Sequence, residues 1–176
     1  MNWNHIPLLI GAVILLGPST IMAQTQRKAS NRGIKLPAAV AAALKAECAE
    51  CVVARVSREI EDGVKIYDFE FQKGQGEMDI AGDGTILNRE IPIKADDVPV
   101  AVMEAIRKAA AGGRIIQIEK EEIRAELKSG KVVKLDSPKH DYEADLVKMT
   151  RFGEVVVTPD GQVTEGPKWR KKRTDD

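Results

Sequence analysis

Aromatic residues make up only 4% of this 176-residue chain, which holds two histidines and two cysteines. Each scarcity excludes a class of chemistry. One histidine, His5, stands near the start; the other, His140, belongs to no recognisable motif and reads as a solvated surface side chain. A nucleophilic triad needs a histidine placed beside its nucleophile, so none can be built here with any specificity. One histidine with two cysteines is too few for a structural zinc site, which takes four such ligands. No D-x-D-x-D-G loop is present to hold calcium. Net charge is also missing: 27 basic residues balance 27 acidic ones, which argues against a dedicated nucleic-acid binder. The expectation is a protein that is not an enzyme, with no cofactor, no metal and no nucleic acid.

Residues 1–23 contain no Asp, Glu, Lys or Arg. Ile6 to Gly17 forms an apolar run, Pro18-Ser19-Thr20 breaks it, and Ala23 supplies a small residue at which cleavage would occur. That is the pattern of a secretory signal peptide, too short and interrupted for a membrane span. The pattern departs from the usual one at Met1-Asn2-Trp3-Asn4-His5, which lacks Lys and Arg, so an uncleaved anchor stays open as the alternative. No cysteine directly follows the run, as a lipoprotein anchor would need. The expected location is periplasmic or extracellular.

What is present is a repetition. Leu36 to Glu59 aligns on Val98 to Glu121 without a gap, matching Pro37 with Pro99, Ala39 with Ala101, Val40 with Val102 and Ala43 with Ala105. Tyr67-Asp68-Phe69-Glu70-Phe71 then matches Tyr142-Glu143-Ala144-Asp145-Leu146, and Asp83-Gly84 matches Asp160-Gly161. The expected organisation is a signal peptide at 1–23, a linker at 24–35, one copy at 36–95, a second at 96–166 and a basic tail at 167–176.

Each copy opens with a helical stripe: Leu36, Val40, Ala43 and Leu44, then Val98, Val102, Ala105 and Ile106. Pro37 and Pro99 suit a first turn, Asp96-Asp97 suit a cap for the second helix, and Gly112-Gly113 suit its end. Strict alternation follows, with Tyr67, Phe69 and Phe71 facing away from Asp68 and Glu70, as expected of an antiparallel strand with one wet face. Asp-Gly marks a turn in each copy. Ile115 to Leu127 could pass as helix on propensity; its first half reads as strand by analogy with copy one, and Ser129 to Lys139 reads as an extended hairpin. The predicted fold is α+β: two tandem units, each one helix packed on a three- to four-stranded antiparallel sheet.

In this order, an (L/V)-P-x-A-V helix, a Val/Ile-rich strand, a Y-acid-x-acid strand and a closing D-G hairpin resemble the PepSY-like family and its β-lactamase-inhibitor-like branch. The resemblance covers Leu36 to Glu165 as two tandem copies. It implies an exported, non-enzymatic module with a protein-binding or peptidase-inhibiting role, and it carries no catalytic residue.

Three features could carry function. Cys48 and Cys51 in an exported chain suggest a disulfide staple. The redox alternative wants the first sulfur at a helix N-terminus, whereas this pair falls at the C-terminal end. Copy two has Ala110 and Gly113 at the matching places. Asp68, Glu70, Glu77 and Asp79, with Asp141, Glu143, Asp145 and Glu154 in copy two, would share an open acidic sheet face suited to a basic protein partner, or simply solvated. Lys168, Trp169, Arg170, Lys171, Lys172 and Arg173 form a basic tail suited to weak contact with an anionic envelope surface, with Trp169 at the interface. The leading reading is a protein-binding module, inhibitor-like, with a peptidase as one candidate partner. The alternatives are a thiol-disulfide or metal-handling protein working through the cysteines, and an envelope-surface structural protein. Oligomeric state is not legible.

Overall fold

The computed structural model describes residues 33–72 and 74–171. The signal peptide, most of the linker, and Lys172 and Arg173 lie outside the described residues. The chain order is helix α1 (Ala38–Glu47), strands β1 (Val53–Glu61), β2 (Val64–Phe71), β3 (Glu77–Ala81) and β4 (Ile86–Pro92), a 3₁₀ turn (Ala95–Asp97), helix α2 (Val100–Ala110), then β5 (Arg114–Lys128), β6 (Lys131–Lys148), β7 (Arg151–Val157), β8 (Val163–Glu165) and β9 (Arg170–Lys171).

All nine strands belong to one sheet in the order β1 to β8, with β9 pairing β7. This corrects the expectation of two tandem helix-on-sheet units. The correcting contact is the antiparallel pairing of Asn88–Pro92 with Glu119–Ile123. Separate sheets would each leave an edge strand, β4 and β5, with unpaired backbone groups; pairing the two satisfies both. The result is a sheet-dominated fold with two short helices.

Both helices lie on the same face of that sheet. Val40 of α1 packs with Tyr67, Phe69, Phe71, Met78 and Ile80. Val102, Met103 and Ile106 of α2 pack with Tyr142, Ala144, Leu146, Val155 and Val157. The apolar alternation therefore points where the sequence places it, because a half-buried strand puts every second side chain on the core. Gly84 and Gly161, both at positive φ, lie so close to the helices that an added Cβ would stand 2.9 Å from the Ala39 carbonyl oxygen and 2.8 Å from that of Ala101. Each Asp-Gly turn thus closes down on the first turn of its helix.

Three local expectations need correction. Pro37 and Pro99 occupy the N-cap positions themselves rather than the first turn, and no side chain caps either helix. Asp96 and Asp97 lie in the preceding 3₁₀ turn and do not cap α2. Helix α2 ends at Ala110, and its C-cap Ala111, with φ of 48°, makes the turn before the glycines. Ile115 to Leu127 is strand throughout, within β5.

The β5–β6 hairpin is long, as expected, and its far end returns to the first half of the chain. Ala125 packs with Ile66, Ala81 and Leu87, and Leu127 and Val132 lie against the same group. At the tip, Gly130 sits against the carbonyl of Asp62 in the β1–β2 turn.

Candidate functional site

Opposite the helices, the sheet presents carboxylates. Cross-strand partners share a face, and their registers align Asp68 with Asp79, Glu70 with Glu77, Glu77 with Glu90 and Glu90 with Glu121. The row continues from Glu121 to Asp141, from Glu119 to Glu143 and from Asp145 to Glu154. The β4–β5 pairing is what joins them: without it the acids would form two patches, and with it they form one. Glu90, Glu119 and Glu121, which the sequence reading did not single out, fill the middle. Their strand parity was the available signal, since Glu119 and Glu121 flank Lys120 as Glu143 and Asp145 flank Ala144.

Like charges directly opposite one another in a sheet oppose ionisation, and partial burial strengthens the effect. Burial, then the carboxylates of Glu143, Glu121, Glu77 and Asp79, push Glu90 up to about 10. Burial, then Glu154, Glu121, Asp145 and Glu119, push Glu143 up to about 9. Glu121 rises to about 7, chiefly through burial and Asp141, against a hydrogen bond of 3.1 Å from Asn88 Nδ2. Burial likewise raises Glu119 and Asp141.

The face is not uniformly wet, which corrects one element of the sequence reading. Asp68 is only 2% exposed and accepts a 2.9 Å hydrogen bond from Ser57 Oγ. Ser57 of neighbouring β1 stands against it, so it is a buried polar group and not an open docking residue. Glu70 forms an ion pair with Arg55. Glu77, Asp79, Glu143 and Glu154 are half-buried and Asp145 is exposed, so the accessible part of the face lies toward β6 and β7.

Glu90, Glu119 and Glu143 come from three adjacent strands and bring one carboxylate oxygen each to within 4.8 Å of the others. Glu119 is 6% exposed, and its Oε1 lacks a hydrogen-bond partner among the described residues.

On the helix face, Arg89 is a buried organiser that sequence reading missed. Its guanidinium donates to the carbonyls of Glu77 at 2.7 Å, Glu90 at 2.8 Å and Gln75 at 2.5 Å, and lies 4.9 Å from the Phe71 ring centroid. Burial lowers its pKa, against the attraction of Glu47, Glu119 and Glu90.

Cys48 and Cys51 stand 5.2 Å apart at Cα, with their sulfurs at bonding distance. Cys48 is the C-cap of α1, and Cys51 N–H donates to its carbonyl at 3.2 Å. Gly113 and Ala110 form the same turn at 2.8 Å in the second half, so the backbone there does not depend on sulfur. His140 is half-buried on β6 opposite Glu122, which corrects its reading as a solvated side chain. Trp169, expected at a membrane interface, instead packs against Gly153 and the core beneath α2, while Lys168, Arg170 and Lys171 are exposed.

No family model and no curated protein matches this chain. Solved structures do. A candidate periplasmic protein from Bacteroides eggerthii superposes with a TM-score of 0.53 at 15% identity, over 78% of this chain and 90% of its own. A DUF2874 family protein from Bacteroides uniformis gives 0.52 at 16%, over 78% and 90%. A BLIP-like protein from Bacteroides fragilis gives 0.50 at 13%, over 82% and 94%. At these identities the likeness establishes the fold, which is of the β-lactamase-inhibitor-like kind.

Proposed function

We propose that this chain is an exported, non-enzymatic binding module whose acidic sheet face docks a protein with a basic surface. The observation that carries this reading is the single run of carboxylates across β3 to β7, on the side that neither helix covers. Such a field steers a cationic partner and repels an anionic one. The neighbours described as periplasmic and BLIP-like support an envelope location and an inhibitor-like role, with a peptidase as the candidate target. The cysteine pair in this reading is a staple at the end of α1, and the exposed basic residues of the tail lie beside β7.

The test is capture from an envelope extract of the native host by the mature chain, compared with an Asp145→Lys, Glu154→Lys variant of unchanged circular dichroism. Capture that weakens with added salt and is lost in the variant supports docking on this face. Equal capture by both proteins moves the site elsewhere.

A further inference from the structure

We infer that Glu90, Glu119 and Glu143 form a binding site for a calcium ion at the centre of the sheet face opposite the helices. No contiguous loop marks these ligands in the sequence; they come from β4, β5 and β6, one residue each. Glu119 lies directly across from Glu143, and Glu90 lies two residues along β4 from Pro92, the partner of Glu119. Their three oxygens converge within 4.8 Å.

Convergence of acids alone would not indicate a ligand. The second observation is Glu119, 94% shielded from solvent by its 6% exposure, with Oε1 unpartnered. A buried carboxylate oxygen without a donor is costly, and a cation held between it and the two neighbouring carboxylates removes that cost. A fold that merely needed a charged, soluble face would leave these side chains in water.

The donor set selects the ion. All three ligands are hard oxygens, which suit calcium, magnesium or manganese rather than zinc or copper. Calcium accepts six to eight oxygens in flexible geometry, whereas magnesium demands a near-ideal octahedron and gives up its waters reluctantly. Three carboxylates offered by separate strands, with no pre-formed octahedron around them, suit calcium better. Three monodentate carboxylates on one side leave the remaining positions to water, so binding of the free ion should be modest. The inference does not require a protein partner and stands or falls apart from the docking reading.

The experiment is isothermal titration of calcium chloride into chelator-stripped mature protein, with thermal melts in calcium, magnesium and zinc. One equivalent should bind, and the melting temperature should rise more with calcium than with equal magnesium or zinc. Glu119→Gln should weaken binding at least tenfold, while Glu104→Gln on α2, away from this face, should leave it unchanged. Glu143→Gln serves the same purpose should Glu119→Gln fail to fold. Absence of heat and of stabilisation at millimolar calcium overturns the site. Undiminished binding in a folded Glu119→Gln or Glu143→Gln variant overturns the ligand assignment, and tighter binding of magnesium or zinc overturns the choice of calcium.

Discussion

Arg124 of β5 grips Glu47, the last residue of α1, through two parallel hydrogen bonds, Nη1 to Oε2 and Nη2 to Oε1, each 2.7 Å long. The same guanidinium donates through Nε to Glu122 at 2.5 Å. The pair thus ties the helix of the first half of the chain to a strand of the second. Its charge lowers the Glu47 pKa, mainly through these hydrogen bonds, against partial burial. Glu47→Gln and Arg124→Gln combined in a double-mutant cycle should show a coupling of about 0.5–1 kcal/mol, the range for a partly exposed but bidentate pair. Strictly additive denaturation midpoints would show that the contact contributes nothing.

Phe69, Asp68 and Asp145 should respond to substitution in three different ways. Phe69→Ala truncates a ring that is 1% exposed and should cost about 3–5 kcal/mol. Asp68→Lys places a new charge in a buried site beside Ser57 and should cost more than about 3 kcal/mol. Asp145→Lys, on the same face but exposed, should stay within about 1 kcal/mol. Urea titrations of the three variants decide the matter. Equal tolerance at 68 and 145 would place both in water, as alternation alone suggests.

The chain should melt as one unit. The β4–β5 pairing, the Arg124–Glu47 contact and the cluster of Ile66, Ala81, Leu87 and Ala125 all cross between the halves. Scanning calorimetry should therefore give a single transition whose calorimetric and van't Hoff enthalpies agree. Two resolved transitions would mean that the cores beneath α1 and α2 fold independently despite their common sheet.

Stability of the cation-free protein should fall as pH rises above about 5. Glu121, Glu143 and Glu90 have folded-state values of about 7, 9 and 10 against an ordinary 4.5. A raised carboxylate contributes stability that is complete below its unfolded value and is lost as pH climbs through its folded value. The groups that face them are Glu77 and Asp79 on β3, Glu119 on β5, Asp141 and Asp145 on β6, Glu154 on β7 and Glu165 on β8, all of like sign. Glu47 has the opposite sign: its lowered value means stability is lost as pH falls below about 4.5. Melts in chelator should peak near pH 5 and decline toward pH 9, and Glu143→Gln should flatten the decline. A melting temperature that rises between pH 5 and 9 would contradict the crowding of these acids.

Much of the local structure is legible in residue order. The stripe through Val98, Val102 and Ile106 and the alternation through Tyr67, Phe69 and Phe71, then Tyr142, Ala144 and Leu146, announce which side chains enter the core. The Asp-Gly turns and the extended hairpin are also announced. Burial of Asp68 is not, because its hydrogen-bond partner Ser57 lies on another strand, and strand pairing is not written in the alternation. Arg89 and Arg124 are likewise silent in sequence, since their acceptors are backbone carbonyls and a distant glutamate.

Periodicity along a strand determines by itself which way each side chain points, because successive residues of extended backbone face opposite sides. It therefore determined that this protein has an apolar face under its helices and an acidic face away from them. Which strands lie side by side is a different question, decided by backbone hydrogen bonds that any residue can make. Only the tertiary structure could place β4 against β5, merge two acidic patches into one sheet face and bring Glu90, Glu119 and Glu143 together at its centre.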